Sequence, residues 1–472
     1  MRSAIYLSVL AMLTLSVSSS MEAQDNAKGH YHFVGSMSAS LAEGAVPGQV
    51  TSGIPFTTIL SDKGASISPS TFELKGPKWT GTATLTLDGA KYADGHLTGT
   101  LKLSNGSGSV LEGVRLDIRG ATEEYKAKDN QGNDVLRTRS EQVSLASPLL
   151  FGDIPKGEEA DKSRIDVSGI TFGPDTTRVM VNGALSGLYY TGGWQSDTVI
   201  APMEMDADSQ GRLYFADVVA NRVARYNPDR TNLTTTGKLP DQQCLGCAVN
   251  PKTGEIYATC TNIKDIFKYT PGGVDDGKII ASDDTGYIHL LRTNRAGTIL
   301  YGGSDGSVLN VFYGDKLHHV ISKVGDYDVM VTGFDVSSSG ILWICSNGNL
   351  LKLEADGTTG KRIASGPDWH LGRLYGPATC RTDNQENVYV LEEGNDQEET
   401  FEYARVSMWD KLGRQVRVFG YGGKPARGDD PSIPGQVRYP IDLAILPDGT
   451  VAIAGKTGAG NSSTVVSLFM PF

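Results

Sequence analysis

Four glycines at a fixed spacing constrain the fold of this chain more than any other feature. Gly211 precedes "RLYFAD", Gly254 "EIYATC", Gly297 "TILYGG" and Gly340 "ILWICS", each 43 residues after the one before. Glu386 before "NVYVLE" and Gly449 before "TVAIAG" extend the series at intervals of 46 and 63 residues. Every copy continues with a further strand-like run: "RVARYN" (222–227), "DIFKYT" (265–270), "VLNVFY" (308–313), "LLKLEA" (350–355), "RVSMWD" (405–410) and "VVSLFM" (465–470). Turn clusters such as "NPD" and "TPGG" come next. A fourth strand fits after them, as in "QVRVFG" (415–420). A period of about 20–50 residues marks a solenoid or a propeller. Four antiparallel strands per copy are one propeller blade, so the six copies predict an all-β, six-bladed ring.

The last copy reaches Phe472 at its third strand. A ring left open would expose unpaired strand edges. The sequence therefore predicts a closing strand from before the first blade, within "LYYTGGWQSDTVI" (188–200).

The segment "PMEMDADSQGRLYFADVVANRVARYNPD" (202–229) resembles an NHL repeat in its Gly, Tyr, Ala-Asp, Asn-Arg-Val and closing aromatic. "YPIDLAILPDGTVAIAG" (439–455) is similar to a second copy. The resemblance covers about residues 197–472 and implies a propeller. It implies little about chemistry, because propellers host binding modules and enzymes alike.

Upstream of the ring the pattern changes. "GTATLTLDG" (81–89), "HLTGTLKLSN" (96–105) and "VLEGVRLDIRG" (110–120) alternate at period two, with "NGSGS" (105–109) as a turn between strands. Short strands with Gly/Ser turns predict a β-sandwich over 24–187. Around 97–186 it resembles an immunoglobulin-like domain, without the inter-sheet cysteine pair. Residues 1–23 read as a secretory signal: Arg2, then the apolar run "AIYLSVLAMLTLSV" (4–17), too short and Ser/Thr-rich for a membrane span. No later run approaches about 18 apolar residues, so the expected location is secreted or periplasmic, with no membrane span in the mature chain. The net charge of −11, from 43 basic and 54 acidic residues, argues against binding a phosphate backbone.

In a propeller, the loops joining second to third strands share a rim with the starts of the inner strands. Two insertions, 392–404 and 421–437, fall on that rim, and insertions clustered on one face of a repeat protein mark a binding face. The first carries Glu392 and Asp396 among six carboxylates, hard oxygen ligands suited to Ca2+ or another divalent metal. Counting seven residues back from each turn position gives Glu204, Cys247, Leu290, Gly333, Thr379 and Asp442. Glu204 and Asp442 fall on adjacent blades, and with Asp217 they are candidates for a channel-mouth metal or an acid/base pair. Counting five back gives Asp206, Val249, Arg292, Asp335, Arg381 and Ala444, of which Arg292, Asp335 and Arg381 read as an inter-blade ionic set.

Gluconolactonase-type propellers carry a metal-binding glutamate before Gly-Pro. Here "APME" puts Glu204 after the proline, and "YGP" has Tyr375 where the glutamate would stand. Streptogramin-lyase-like propellers use rim histidines, to which only His289 corresponds, and a lone core histidine is the better account of it. The five cysteines are Cys244, Cys247, Cys260, Cys345 and Cys380. "CLGC" (244–247) lacks the histidine of a haem site and the second pair of a zinc site. The hairpin brings Cys260 opposite 244–247, so a disulfide to Cys244 or to Cys247 is expected in an oxidising compartment. Cys345 and Cys380 pair or remain thiols. The expected function is non-catalytic binding of an extracellular or cell-envelope protein, peptide or glycan on the rim with the insertions. The alternative is a metal-dependent hydrolase or lyase at the channel mouth, and a third is a rigid spacer in a surface layer or matrix.

Overall fold

The computed structural model describes most of residues 54–471; segments of six or more residues outside it are 1–53, 142–148, 168–175, 280–285, 367–373, 393–404, 420–439 and 457–462. The signal segment, Asp396 and the insertion 421–437 therefore lie outside the described residues. No helix occurs among the described residues, so none is long and apolar enough to cross a membrane. The chain divides between Leu188 and Tyr189 into two compact units.

In the first unit, Thr71–Gly76, Trp79–Ala93, His96–Gly106 and Ser163–Val167 form an antiparallel sheet in that order. Leu85 stands opposite Leu103, and both are buried, as are Ala83 and Leu101. The period-two pattern of 81–89 and 96–105 thus becomes one apolar sheet face. A second sheet contains Gly64–Ser68, Ile54–Ser61 and Thr176–Ile200, with Leu111–Lys128 pairing to Asp134–Glu141 and Leu149–Ile154.

The second unit is a six-bladed β-propeller. Its inner strands are Pro202–Ala207, Cys244–Val249, Ile288–Thr293, Val331–Val336, Pro377–Thr382 and Pro440–Ile445. Each pairs with a second strand where the repeat predicts one: Leu213–Asp217, Ile256–Cys260, Ile299–Ser304, Leu342–Ser346, Val388–Glu392 and Val451–Lys456. The periodic glycines sit in the turns between these two strands with positive φ, from 68° at Gly297 to 85° at Gly449. A residue without a Cβ enters that region at no steric cost. Glu386, the non-glycine member of the series, also adopts it, with φ of 66°.

Blade 6 is completed as the sequence predicts. Its third strand, Ser463–Pro471, lies between Val451–Lys456 and the upstream strand Thr176–Ile200. Thr464 Oγ1 donates to the Val199 carbonyl at 2.7 Å, and Thr191 Oγ1 to that of Leu468 at 3.3 Å. Across the closure, Val199 and Val466 join Met205, Phe215 and Ala452 in one apolar cluster. A similar cluster, with Ala248, Ile288, Leu291 and Phe312, fills the interface between blades 2 and 3. The edge-closing strand therefore carries hydrogen bonds and apolar packing together.

Candidate functional site

Every inner strand carries a register shift near its start. In blade 6 the pairing jumps from Pro440–Gly455 to Asp442–Ala454, and equivalent jumps occur in the other blades. A bulge of this kind turns the strand and re-aims the next side chain. The row just after it is Glu204, Gly246, Leu290, Gly333, Thr379 and Asp442. This corrects the sequence count in blade 2. There the turn bond spans four residues, Gly254 N–H to Asn250 O, against three in blade 3, Gly297 N–H to Asn294 O. The extra turn residue moves Gly246, rather than Cys247, into the row, and Ala248, rather than Val249, into the row below.

The upper row closes around two carboxylates. Glu204 and Asp442 are at most 2 % exposed. Glu204 Oε2 accepts the Cys247 N–H at 2.8 Å and the Leu291 N–H at 3.1 Å, while Oε1 accepts Arg292 Nη1 at 2.5 Å. Asp442 Oδ1 accepts the Leu443 N–H at 2.7 Å. Its Oδ2 accepts the Met205 N–H at 2.7 Å, Arg292 Nη2 at 3.2 Å and Arg381 Nη2 at 2.5 Å. Arg381 Nη2 also reaches the Met205 carbonyl at 3.0 Å. Blades 1, 3, 5 and 6 are thus tied through two guanidiniums. The row's glycines make the closure possible: a Cβ on Gly246 would lie 2.6 Å from the His289 carbonyl oxygen and 3.1 Å from Glu204 Oε2.

The row below holds Asp206, Arg292, Asp335 and Arg381. The expected ionic set of Arg292, Asp335 and Arg381 does not form as such. Asp335 Oδ2 accepts the Thr382 N–H at 2.6 Å and Thr382 Oγ1 at 2.8 Å, and the two arginines reach past it to the upper row. The physical reason is length: the Thr382 donors stand on the adjacent strand, whereas a guanidinium extends to the next layer. Asp206 Oδ2 accepts the Val249 N–H at 2.9 Å.

Burial raises the Glu204 carboxyl well above its usual range, against the pull of the Arg292 charge. Burial likewise pushes Asp442 and Asp206 up to about 6, again opposed by Arg292. Desolvation works against the charge on Arg292, but Glu204 and Asp442 outweigh it and hold the pKa above its ordinary value. A neutral set of two arginines and two carboxylates, each carboxylate oxygen already accepting a hydrogen bond, is built to fix blades in place. It leaves the two carboxylates no open side toward an incoming substrate.

The remaining candidates are dispersed. Asp217 is buried one strand out from the axis, where Oδ1 accepts the Ala220 N–H at 3.1 Å and the Arg222 guanidinium stands 3.8 Å from Oδ2. His289 is half-buried at the bulge of blade 3, with no described hydrogen bond to Glu204 or Asp442. Glu392 is fully buried: Oε2 pairs with Arg405 at 3.0 Å and Oε1 accepts Ser407 Oγ at 2.5 Å. Glu392 and Arg405 are register partners at the base of the insertion, so Glu392 clamps the loop rather than reaching out from it. Among the described residues, no group of three or more His, Cys, Asp or Glu side chains is gathered in a metal-binding arrangement. All five cysteines are buried, and none is bridged in this structure.

A cavity of about 40 Å³ lies on the axis at the other end of the inner strands. Asp206, Arg292, Asp335, Arg381 and Thr382 line it, and Arg295 reaches over it from the blade 3 turn to the Thr382 carbonyl. That is room for a few water molecules. The sequence count picked out Asp206, Arg292, Asp335 and Arg381 but neither Thr382 and Arg295 nor the empty space, which depends on where the arginines bend.

The upper rim has a different character. Met203, Tyr287 and Met330 immediately adjoin the starts of the inner strands of blades 1, 3 and 4, and Val219 lies in the second-to-third-strand loop of blade 1. All four are between 41 and 47 % exposed. Inner strands lie nearest the axis, so Met203, Tyr287 and Met330 belong to the rim at which those strands begin. Sequence inspection did not single them out, because nothing in a lone Met or Tyr tells a rim position from a core one.

Fold and lining together define a six-bladed β-propeller whose channel is plugged by buried ion pairs. No family profile matches the chain, and no curated protein matches it by sequence. Among solved structures it is similar to the hydrazine synthase of Kuenenia stuttgartiensis, at 13 % identity and a TM-score of 0.38, over 56 % of this chain and 78 % of that one.

Proposed function

We propose that the propeller is a non-catalytic binding module of a secreted or periplasmic protein, and that it holds a protein, peptide or glycan on its upper rim. The supporting observation is that Met203, Tyr287 and Met330 are exposed at the inner-strand starts of three blades, all on one rim. Exposed apolar side chains gathered at one place mark interaction surfaces, whereas scattered ones need no explanation. Val274 and Leu412, also exposed, are of the scattered kind: each lies in a turn between third and fourth strands, out toward the perimeter. The buried pairing of Glu204 and Asp442 with arginines favours binding over channel-mouth acid/base chemistry. In this reading the repeats are NHL-like, residues 1–23 direct export, and the segment 24–187 is an immunoglobulin-like sandwich that precedes the ring in the chain.

The test uses the mature chain against immobilised glycan and peptide libraries. Binding is compared for Met203→Asp with Met330→Asp, and for the perimeter control Val274→Asp with Leu412→Asp. The Met203/Met330 variant is expected to lose at least tenfold in affinity while the control binds as the parent does. Equal binding by both variants overturns the reading.

A further inference from the structure

We propose that Cys244 and Cys260 are oxidised to a cross-strand disulfide in blade 2, and that Cys247 remains a thiol. Three observations on the backbone carry this. First, Cys244 and Cys260 are direct register partners, the inner strand's first residue against the second strand's last. Second, the flanking pair is joined by a backbone bond, Thr261 N–H to the Gln243 carbonyl at 3.0 Å. Hydrogen-bonded and non-hydrogen-bonded pairs alternate along an antiparallel ladder, so Cys244 and Cys260 form a non-hydrogen-bonded pair, where Cα atoms approach to about 4.5 Å. That lies inside the ~4.4–6.8 Å span a disulfide bridges without backbone movement. Third, the shift after Cys244 puts Cys247 opposite Ala258. Cys260 is then only a diagonal neighbour of Cys247, at about 7–8 Å between Cα atoms, beyond that span.

The environment agrees with the assignment. Cys244 and Cys260 are fully buried in one apolar cluster with Tyr214, Val223 and Tyr269. Cys247, on the same face because of the bulge, belongs to the same cluster but points its Sγ at the Glu204 carbonyl, 3.6 Å away. Burial pushes the Cys260 thiol up to about 12. Thiolates are the reactive form, so the bond forms in the short 244–260 hairpin before blade 1 covers it. In the step, the two thiols lose two protons and two electrons and one S–S bond forms. The electrons reduce an incoming disulfide, glutathione disulfide or that of an oxidase, to two thiols through a mixed disulfide. The link ties the upper-rim end of blade 2, and it does not depend on what that rim binds.

The chain is refolded in a glutathione redox buffer, alkylated in denaturant without reductant, digested and mapped by mass spectrometry. In parallel, chain exported to a bacterial periplasm is mapped without refolding. A Cys260-containing peptide linked to the 244–247 peptide is expected in nearly all molecules. The link persists in Cys247→Ala and disappears in Cys244→Ala, where Cys260 becomes alkylated. Alkylated Cys260 in both parent preparations overturns the proposal, as does a link that survives Cys244→Ala and is lost in Cys247→Ala.

Discussion

The guanidinium of Arg292 on blade 3 donates to the carboxylate of Asp442 on blade 6, the diametrically opposite blade, at 3.2 Å. The same side chain holds Glu204 of blade 1. One arginine therefore spans the ring. Arg292→Met leaves Glu204 buried without its cation, and removing one partner of a buried pair costs about 3–5 kcal/mol. The double variant Arg292→Met with Glu204→Gln is expected to recover a good part of that loss. Urea denaturation of the parent, both single variants and the double variant closes the cycle. Additive losses would mean that the two side chains do not act as a unit.

The same burial makes stability depend on pH. Asp206 and Asp442 titrate near 6 in the folded chain against an ordinary value of 3.8. Between those values the folded state binds more protons than the unfolded state, so stability falls as pH rises. The contribution of these groups is complete below about pH 4 and is lost as pH passes through 6. In Asp206→Asn the Val249 N–H keeps an acceptor while the titration is removed. The variant is expected to gain on the parent by about 1–2 kcal/mol between pH 4.5 and 7. Denaturation midpoints at the two pH values measure this directly.

The blade count, the strand positions and the closing strand were legible in the sequence, because a 43-residue period and strand alternation are local signals. The channel rows were legible to within one residue. The error at Cys247 arose from a longer turn, "NPKTG", that a count from Gly254 cannot detect. Arginine pairing was not legible. Arg381 and Asp335 stand on neighbouring strands, yet Arg381 passes to Asp442 and Asp335 settles on Thr382. Sequence spacing ranks partners by strand, whereas long side chains choose them by layer.

Glu386 takes a turn position that glycine holds in five of the six copies, with φ of 66°. Its carboxylate accepts the Ser339 N–H at 2.8 Å and Ser338 Oγ at 3.1 Å, which joins the turns of blades 4 and 5. The Ser339 hydrogen bonds hold its pKa below the usual value. Strain and bridge therefore oppose each other. Glu386→Gly loses the bridge but relieves roughly 1 kcal/mol of left-handed strain, and a near-neutral effect is expected. Glu386→Ala loses the bridge and keeps the strain, so it is expected to be less stable than Glu386→Gly by about 1 kcal/mol. Thermal unfolding of the pair checks the order, and equal melting temperatures would remove strain from the account.

Two propeller glycines, Gly333 on an inner strand and Gly302 on a second strand, predict different tolerance to one methyl group. A Cβ on Gly333 would stand 2.3 Å from Thr379 Cα and 2.7 Å from the Ala378 carbonyl oxygen, both backbone atoms of the next inner strand. A Cβ on Gly302 would meet chiefly the Ile288 side chain, at 2.9 Å. Backbone in the closed ring can yield only by moving blade 5 away from blade 4, whereas an isoleucine side chain can change its torsions. Overpacking that shifts backbone costs about 1–3 kcal/mol, so Gly333→Ala is expected at the upper end of that range and Gly302→Ala at the lower. Gly333→Ala should also loosen the Arg381–Asp442 contact, because Arg381 follows Thr379 by two residues on the strand that must move. Faster amide exchange at Met205, whose N–H is held by Asp442, would report that loosening at a distance from the added methyl.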